Sequence, residues 1–350
     1  MKLHQPAKGA TALLAAILAP ALLLTGCGGS SDDDAAPGTD ADADTDTETT
    51  EPAGATGESV SIGISQIVTH PSLDASREGF KDALADAGYD VDWDEQNAQG
   101  DQSIAASIAG SFASSDLDLI LAIATPTAIS LAQAVTDVPV LFTAVTDPVG
   151  SALVESMEAP GANVTGTSDA VPVADLLELV KEIVPDAESV GIVYNAGEPN
   201  AVAQVEWAEE AAADLGLTLE LATADTSGAV QQAADSLDVD AFFVITDNTV
   251  VSALETLIQV AEDKQIPVIA SEGDSVARGA IATIGIDYYE LGYQTGEMAV
   301  RILQGADPAT TAVEVQTELA LHLNTGAAER MGVTIPDDLL SQADPENITE

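Results

Sequence analysis

Short apolar runs alternate with amphipathic helical segments along most of this chain, and that alternation limits its possible folds more than any other feature. The runs are "VSIGISQIV", "LDLILAIA", "VPVLFTAV", "SVGIVY", "VDAFFVI", "IPVIA" and "AIATIGI". Each is apolar on successive residues, the pattern of a strand covered on both faces. Between them, apolar residues recur at spacings of three and four over 73–86, 102–113, 173–183, 201–215, 250–264 and 289–303, which predicts helices. Strand and helix in turn imply an α/β protein with parallel sheets between helical layers. The rhythm starts again near Asp169, so the sequence predicts two doubly wound parallel-sheet lobes with a ligand cleft between them. A chain of 350 residues, 46% of them hydrophobic, is long enough for two such cores.

The N-terminus has a different character. Lys2 and Lys8 precede the apolar run "TALLAAILAPALLL", and "LTGC" closes it. This is the pattern of a secretory signal peptide over residues 1–26. Leu24, Thr25, Gly26 and Cys27 match a bacterial lipobox, in which the chain is cut before the cysteine and its thiol acylated. Cys27 is the only cysteine, so no intramolecular disulfide can form and lipidation is its expected use. Residues 27–58 hold no aromatic or large aliphatic side chain and are rich in Asp, Glu, Thr and Gly, which predicts an acidic disordered tether. The expected location is the outer face of the bacterial cell membrane, with the lipid as the only membrane contact.

The formal net charge is −50, and from Ser59 onward the basic residues are Arg77, Lys81, Lys181, Lys264, Arg278, Arg301 and Arg330. Such a surface repels nucleic acid and anionic lipid, and it suits a solubility adaptation to high salt. Phosphate-binding and hydrolytic motifs are missing: there is no Walker loop, no H-E-x-x-H and no G-x-S-x-G. The first strand-to-helix turn has no G-x-G-x-x-G, which disfavours a dinucleotide site. His70 and His322 are the histidines left after cleavage, too few for a zinc site or a nucleophile-base pair. The chain therefore reads as a binder rather than an enzyme, with no cofactor and no metal.

Small polar residues stand directly after each apolar run: Thr69-His70-Pro71-Ser72, Thr125-Pro126-Thr127, Thr146-Asp147-Pro148, Asn195-Ala196-Gly197, Thr246-Asp247-Asn248-Thr249, Ser271-Glu272 and Asp287. Part of this is helix capping, for which Ser72, Thr125 and Thr249 are the expected caps. As a set, these tips lie at the carboxyl ends of parallel strands, where open α/β sheets bind ligands. Asp147, Asp169, Asp247, Glu272 and Asp287 supply acids, and Asp247 is the expected partner for an ammonium. Helix N-terminal amides with the Thr125 and Thr127 hydroxyls suit one carboxylate. Together these preferences describe a zwitterion such as an amino acid, and a neutral sugar, a nucleoside or an amine remains open.

"VTHPSLD", "IATPTA", "FTAVTDPVGSALV", "PGANVTGTSD", "ITDNTV" and "GIDYYELGYQTGEMA" resemble the type I solute-binding lipoproteins of ABC importers, in the branch associated with tryptophan or tyrosine uptake. The resemblance runs from about Val60 to Pro336. It implies a periplasmic-binding-protein-like fold that closes on its ligand, with a membrane permease and a cytoplasmic ATPase as partners. It also implies an N-terminal lobe of 59–168 with about 288–312, and a C-terminal lobe of 169–287 with about 313–350. The positions carried over as lining the cleft are Thr69, His70, Ser72, Thr125, Thr127, Asp147, Ser168, Asp169, Asn195, Asp247, Asn248, Glu272 and Asp287. Tyr194, Tyr288 and Tyr289 are candidates for an aromatic face. A ligand-sensing subunit read by a receptor is the alternative role.

Overall fold

In the computed structural model, the described residues are Gly57 and 59–350; the leader, Cys27 and the tether lie outside them. The first half runs β1 (Ser59–Gln66), α1 (Pro71–Asp86), β2 (Asp90–Asn97), α2 (Gln102–Phe112), β3 (Leu119–Ile123), α3 (Thr125–Ala134), β4 (Val140–Thr143) and β5 (Val164–Ser168). The second continues with α4 (Val173–Ile183), β6 (Ser189–Tyr194), α5 (Pro199–Leu215), β7 (Thr218–Thr223), α6 (Val230–Asp235) and β8 (Ala241–Val244). Next come α7 (Asn248–Val251), α8 (Leu254–Lys264), β9 (Val268–Ala270), α9 (Gly273–Ala277) and β10 (Ala282–Gly285). The chain ends with α10 (Tyr288–Leu303), β11 (Glu314–Val315), β12 (Ala320–Asn324), α11 (Thr325–Arg330), α12 (Asp337–Leu340) and β13 (Ile348–Thr349).

Two sheets result. One has the order β11-β5-β4-β3-β1-β2 and is parallel throughout. The other has the order β13-β12-β10-β9-β8-β6-β7, and its one antiparallel pairing joins β10 to β12. The central strands β3, β4, β8 and β9 are buried at every residue, as their unbroken apolar runs require. In each sheet the first strand lies between the second and the third, so β1/β3 and β6/β8 are switch points where neighbouring connections leave in opposite directions and a crevice opens.

The chain passes between the sheets after β5, after β10 and after β11. Between the last two passages α10 lies along α1, and the two helices touch through glycines. A Cβ on Gly79 would strike the Tyr289 carbonyl, and one on Gly292 would strike the Ser76 carbonyl. Tyrosine–aspartate bonds flank this seam, Tyr289 to Asp82 at 2.8 Å and Tyr293 to Asp86 at 3.2 Å.

Local boundaries differ from expectation in physically simple ways. Proline at the first helical position starts α1 at Pro71, so Ser72 lies inside its first turn and is not its cap. Thr125 is likewise the first helical residue of α3, and Asp247 rather than Thr249 caps α7. The helix expected over 250–264 is two helices, because the Ser252 hydroxyl turns back to the Thr249 carbonyl at 2.8 Å and the chain breaks at Ala253.

Candidate functional site

Strand tips from both lobes enclose a small cavity lined by His70, Ser72, Leu73, Ala144, Asp169, Asn200, Thr246, Asp247, Asn248, Val251, Glu272 and Tyr288. His70, Ser72 and Leu73 come from the β1–α1 junction, and Ala144 from the end of β4. Asp169 follows β5, where the chain first passes between the sheets. Asn200 opens α5, Thr246 to Val251 follow β8, and Glu272 follows β9. Tyr288 opens α10 at the second passage.

The second lobe's acids in this cavity are occupied by its own helices. Asp247 caps α7, with Oδ1 accepting from the Val250 amide at 2.9 Å and Oδ2 from the Asn195 amide at 2.6 Å. Glu272 caps α9 by accepting from the Ser275 amide at 3.1 Å and also takes the Ser275 hydroxyl. Glu198 lies behind them and accepts from the Thr249 amide and hydroxyl and from the Asn248 side chain. Burial pushes the Asp247 carboxyl well up, and the Glu198 carboxylate beside it adds to the effect. Burial also raises Glu272.

Asp169 is different. It is buried, and its Oδ2 accepts from the Tyr288 hydroxyl at 2.8 Å while its Oδ1 has no protein partner. Burial raises its carboxyl, and the Tyr288 hydroxyl partly opposes that. Asn200 Oδ1 and His70 Nδ1 are likewise buried without a partner. Burial, and then the Arg278 charge, hold the His70 imidazole at about 4, so the ring is neutral near pH 7. An unpaired buried polar atom is costly, and three around one cavity mark a surface built to be completed by something else. Leu73, Ala144, Val251 and the Tyr288 ring supply its apolar wall.

Of the positions expected from sequence, His70, Ser72, Asp169, Asp247, Asn248 and Glu272 meet in this cavity, and the others stand outside its wall. Thr69 accepts from Asn97 at the surface, and Asp147 closes a turn by accepting from the Gly150 amide. Asp287 caps α10. Thr127 spends its hydroxyl on the Ile123 and Ala124 carbonyls, Ser168 donates to the Thr146 carbonyl, and Thr125 is buried. Asn195 lines a wider groove at the cleft mouth. Thr246, named at its strand tip, and Tyr288, a candidate for an aromatic face, also line the cavity, whereas sequence reasoning missed Asn200, Leu73, Ala144 and Val251, together with the supports Glu198 and Gln204. The signal for Asn200 was "GEPNA", where a proline one residue earlier sets a helix start and turns the first-turn side chain back toward the strand tips.

The lobes touch directly around the cavity. Ser72 Oγ donates to Glu272 Oε2 at 3.1 Å, Thr146 and Thr246 hydroxyls meet at 3.3 Å, and Gln102 Nε2 donates to the Gly197 carbonyl at 2.8 Å. This is a closed clamshell: two α/β lobes around a small enclosed cavity.

Fold and cavity are those of a protein that closes around a small solute. The chain belongs to the ABC transporter substrate binding protein family, whose model matches residues 61–346. Proteins of that family work outside the cytoplasm. A relative named tyrosine-binding protein from Clostridioides difficile is 42% identical over 297 residues, 82% of this chain and 86% of that protein. An ABC domain from Streptococcus pneumonia, solved in complex with L-Trp, is 36% identical with a TM-score of 0.80, covering 84% of this chain and all (100%) of that one. A substrate-binding protein with adhesive properties from Clostridium difficile, solved ligand-free and open, is 41% identical but has a TM-score of 0.62, over 83% of this chain and 98% of that one. Greater identity with poorer superposition is what a difference in lobe arrangement produces, in keeping with the closed lobes seen here.

Proposed function

We propose that this protein is a lipid-anchored receptor that captures an aromatic amino acid outside the cell and passes it to an ABC permease and its ATPase. The observation that carries the ligand class is the pair of unpartnered acceptors, Asp169 Oδ1 and Asn200 Oδ1, facing a small closed cavity with an apolar wall. A buried carboxylate oxygen with no donor is matched by an ammonium, and the match is a charge-assisted hydrogen bond. Leu73, Ala144, Val251 and Tyr288 offer a face for the side chain. The two relatives named for tyrosine and L-Trp support the aromatic choice. The anchor reading rests on Cys27 after its apolar leader, with the acidic residues 28–58 as the tether.

A thermal-shift panel of amino acids, amines, nucleosides and sugars tests this reading. A ligand at a hundred times its dissociation constant adds about 2.7 kcal/mol. L-tyrosine or L-tryptophan should raise the melting temperature while sugars and nucleosides leave it unchanged; a shift with a sugar alone would refute the reading.

A further inference from the structure

Thr146 follows β4 in the first lobe and Thr246 follows β8 in the second, and their hydroxyls meet across the cleft at 3.3 Å. Which of the two donates is decided by what lies behind Thr246. Gln204, buried on α5, takes the Thr246 amide through Oε1 at 3.1 Å, and a backbone N–H can only donate, so the two ends of the Gln204 side chain are fixed. Its Nε2 donates to the Asn200 carbonyl at 3.0 Å and to the Thr246 hydroxyl at 2.6 Å. Thr246 is thus an acceptor on its own side, and its single proton is left for Thr146. On the first lobe Thr146 is held beside Asp169. The Val145 carbonyl accepts the Asp169 amide at 3.4 Å, and the Thr146 carbonyl accepts the Ser168 hydroxyl at 3.2 Å. Having accepted from Thr246, the Thr146 hydroxyl has its own proton left for the Asp169 carboxyl. Burial raises that carboxyl, and the Tyr288 hydroxyl and then the Thr146 hydroxyl oppose the rise, while Oδ1 stays open for a ligand.

Resting on the amino-acid reading above, we propose that Gln204, Thr246 and Thr146 are positioning residues that form one directed chain of donors across the cleft and present Asp169 as a carboxylate to the ligand's ammonium. Each donor points from the second lobe toward the first, so the chain is complete only when the lobes are closed. Parting the lobes separates Thr246 from Thr146 and frees the Thr146 hydroxyl to turn to water. Closure therefore sharpens the preference for an ammonium, since a neutral solute of the same shape gains nothing from an ionised Asp169. The other titratable groups on the cavity are Tyr288 from α10, His70 before α1, Asp247 after β8 and Glu272 after β9, with Glu198, Arg278 and Asp274 acting on them from behind. All are common to the proteins compared below.

L-tyrosine is titrated calorimetrically into the wild type, Thr146→Val, Thr246→Val, the double variant, Thr146→Ser and Gln204→Glu. The range is about pH 5 to 8, over which the ligand stays a zwitterion and His70, held at about 4, stays neutral. Each valine variant should bind about threefold to tenfold more weakly, the worth of a neutral hydrogen bond, and the double variant no more weakly than the poorer single. Gln204→Glu puts an acceptor where the donor stood and draws the Thr246 proton back, so it should match Thr246→Val. Thr146→Ser keeps the hydroxyl and should bind like the wild type. Loss of the Thr146 hydroxyl raises Asp169 further, and the ammonium needs the ionised acid. On acidification, affinity should therefore start to fall at a higher pH in Thr146→Val than in the wild type. Losses that multiply in the double variant would overturn the proposal. So would a Thr146→Val loss equal at every pH, Thr146→Ser as weak as Thr146→Val, or wild-type affinity in Gln204→Glu. Should the wild type bind neither L-tyrosine nor L-tryptophan, the aromatic reading itself fails and the chain's role goes with it, an outcome distinct from the others.

Discussion

Asp169 and His70 are two residues whose chemistry depends on burial. On the proposed reading the ligand's ammonium meets the single free oxygen of Asp169, so Asp169→Asn should weaken aromatic amino acid binding about tenfold to a hundredfold, the worth of a hydrogen bond to a charged group. The same substitution relieves a buried acid, so calorimetry should show the loss without a lower melting temperature; a fall in both would assign Asp169 to the fold instead. His70 gives a pH signature. Its folded pKa of about 4 lies below the ordinary 6.5, so protonation opposes folding. Its contribution to stability is complete above pH 6.5 and is lost as pH falls from there through about 4. Asp169, Asp247 and Glu272, all raised, work the other way, and comparison with His70→Gln cancels them. The wild type should lose up to about 3 kcal/mol more than the variant between pH 7 and 4 in denaturant titrations, and parallel losses would contradict this.

At the scale of elements, sequence periodicity revealed the buried strands β1, β3, β4, β6, β8, β9 and β10 and the longer helices, but not the exposed edge strands β2 and β7. Between Ser59 and Gly285 the continuous apolar runs mark buried parallel strands, because a strand covered on both faces has no solvent side to alternate with. The break between α7 and α8 was hidden, since one serine bonding backwards leaves no trace in the apolar spacing. The cavity was half legible. His70, Ser72, Asp169, Asp247, Asn248 and Glu272 could be placed at strand tips, but their division into free and occupied groups could not. That division depends on partners such as Asn195 and Tyr288, which are distant in sequence. Asp247, expected to meet an ammonium, has both oxygens on backbone amides, whereas Asp169 keeps one free. The α1–α10 seam makes a prediction of its own. Gly292→Ala forces a methyl against the Ser76 carbonyl and should cost about 1–3 kcal/mol or more in denaturant titrations, and a variant as stable as the wild type would show that the helices can part without penalty.

For the whole molecule, two lobes joined by chain passages can move as rigid bodies, and the bonds between Ser72 and Glu272, Thr146 and Thr246, and Gln102 and Gly197 belong to the closed arrangement. A charge of −50 pushes like-charged surfaces apart, so added salt should raise the melting temperature by screening that repulsion, while an unchanged melt from low to high NaCl would separate the acidic surface from stability. On the proposed reading, closure is favoured by the molecule that fills the cavity and pairs its free acceptors. Calorimetric titration with L-tryptophan and L-tyrosine, paired with small-angle scattering on the same samples, tests that account most directly. It predicts one site per chain, a negative heat-capacity change from apolar burial, and a radius of gyration that shrinks on saturation. Heat of binding from a sugar or nucleoside and none from either aromatic amino acid would contradict it.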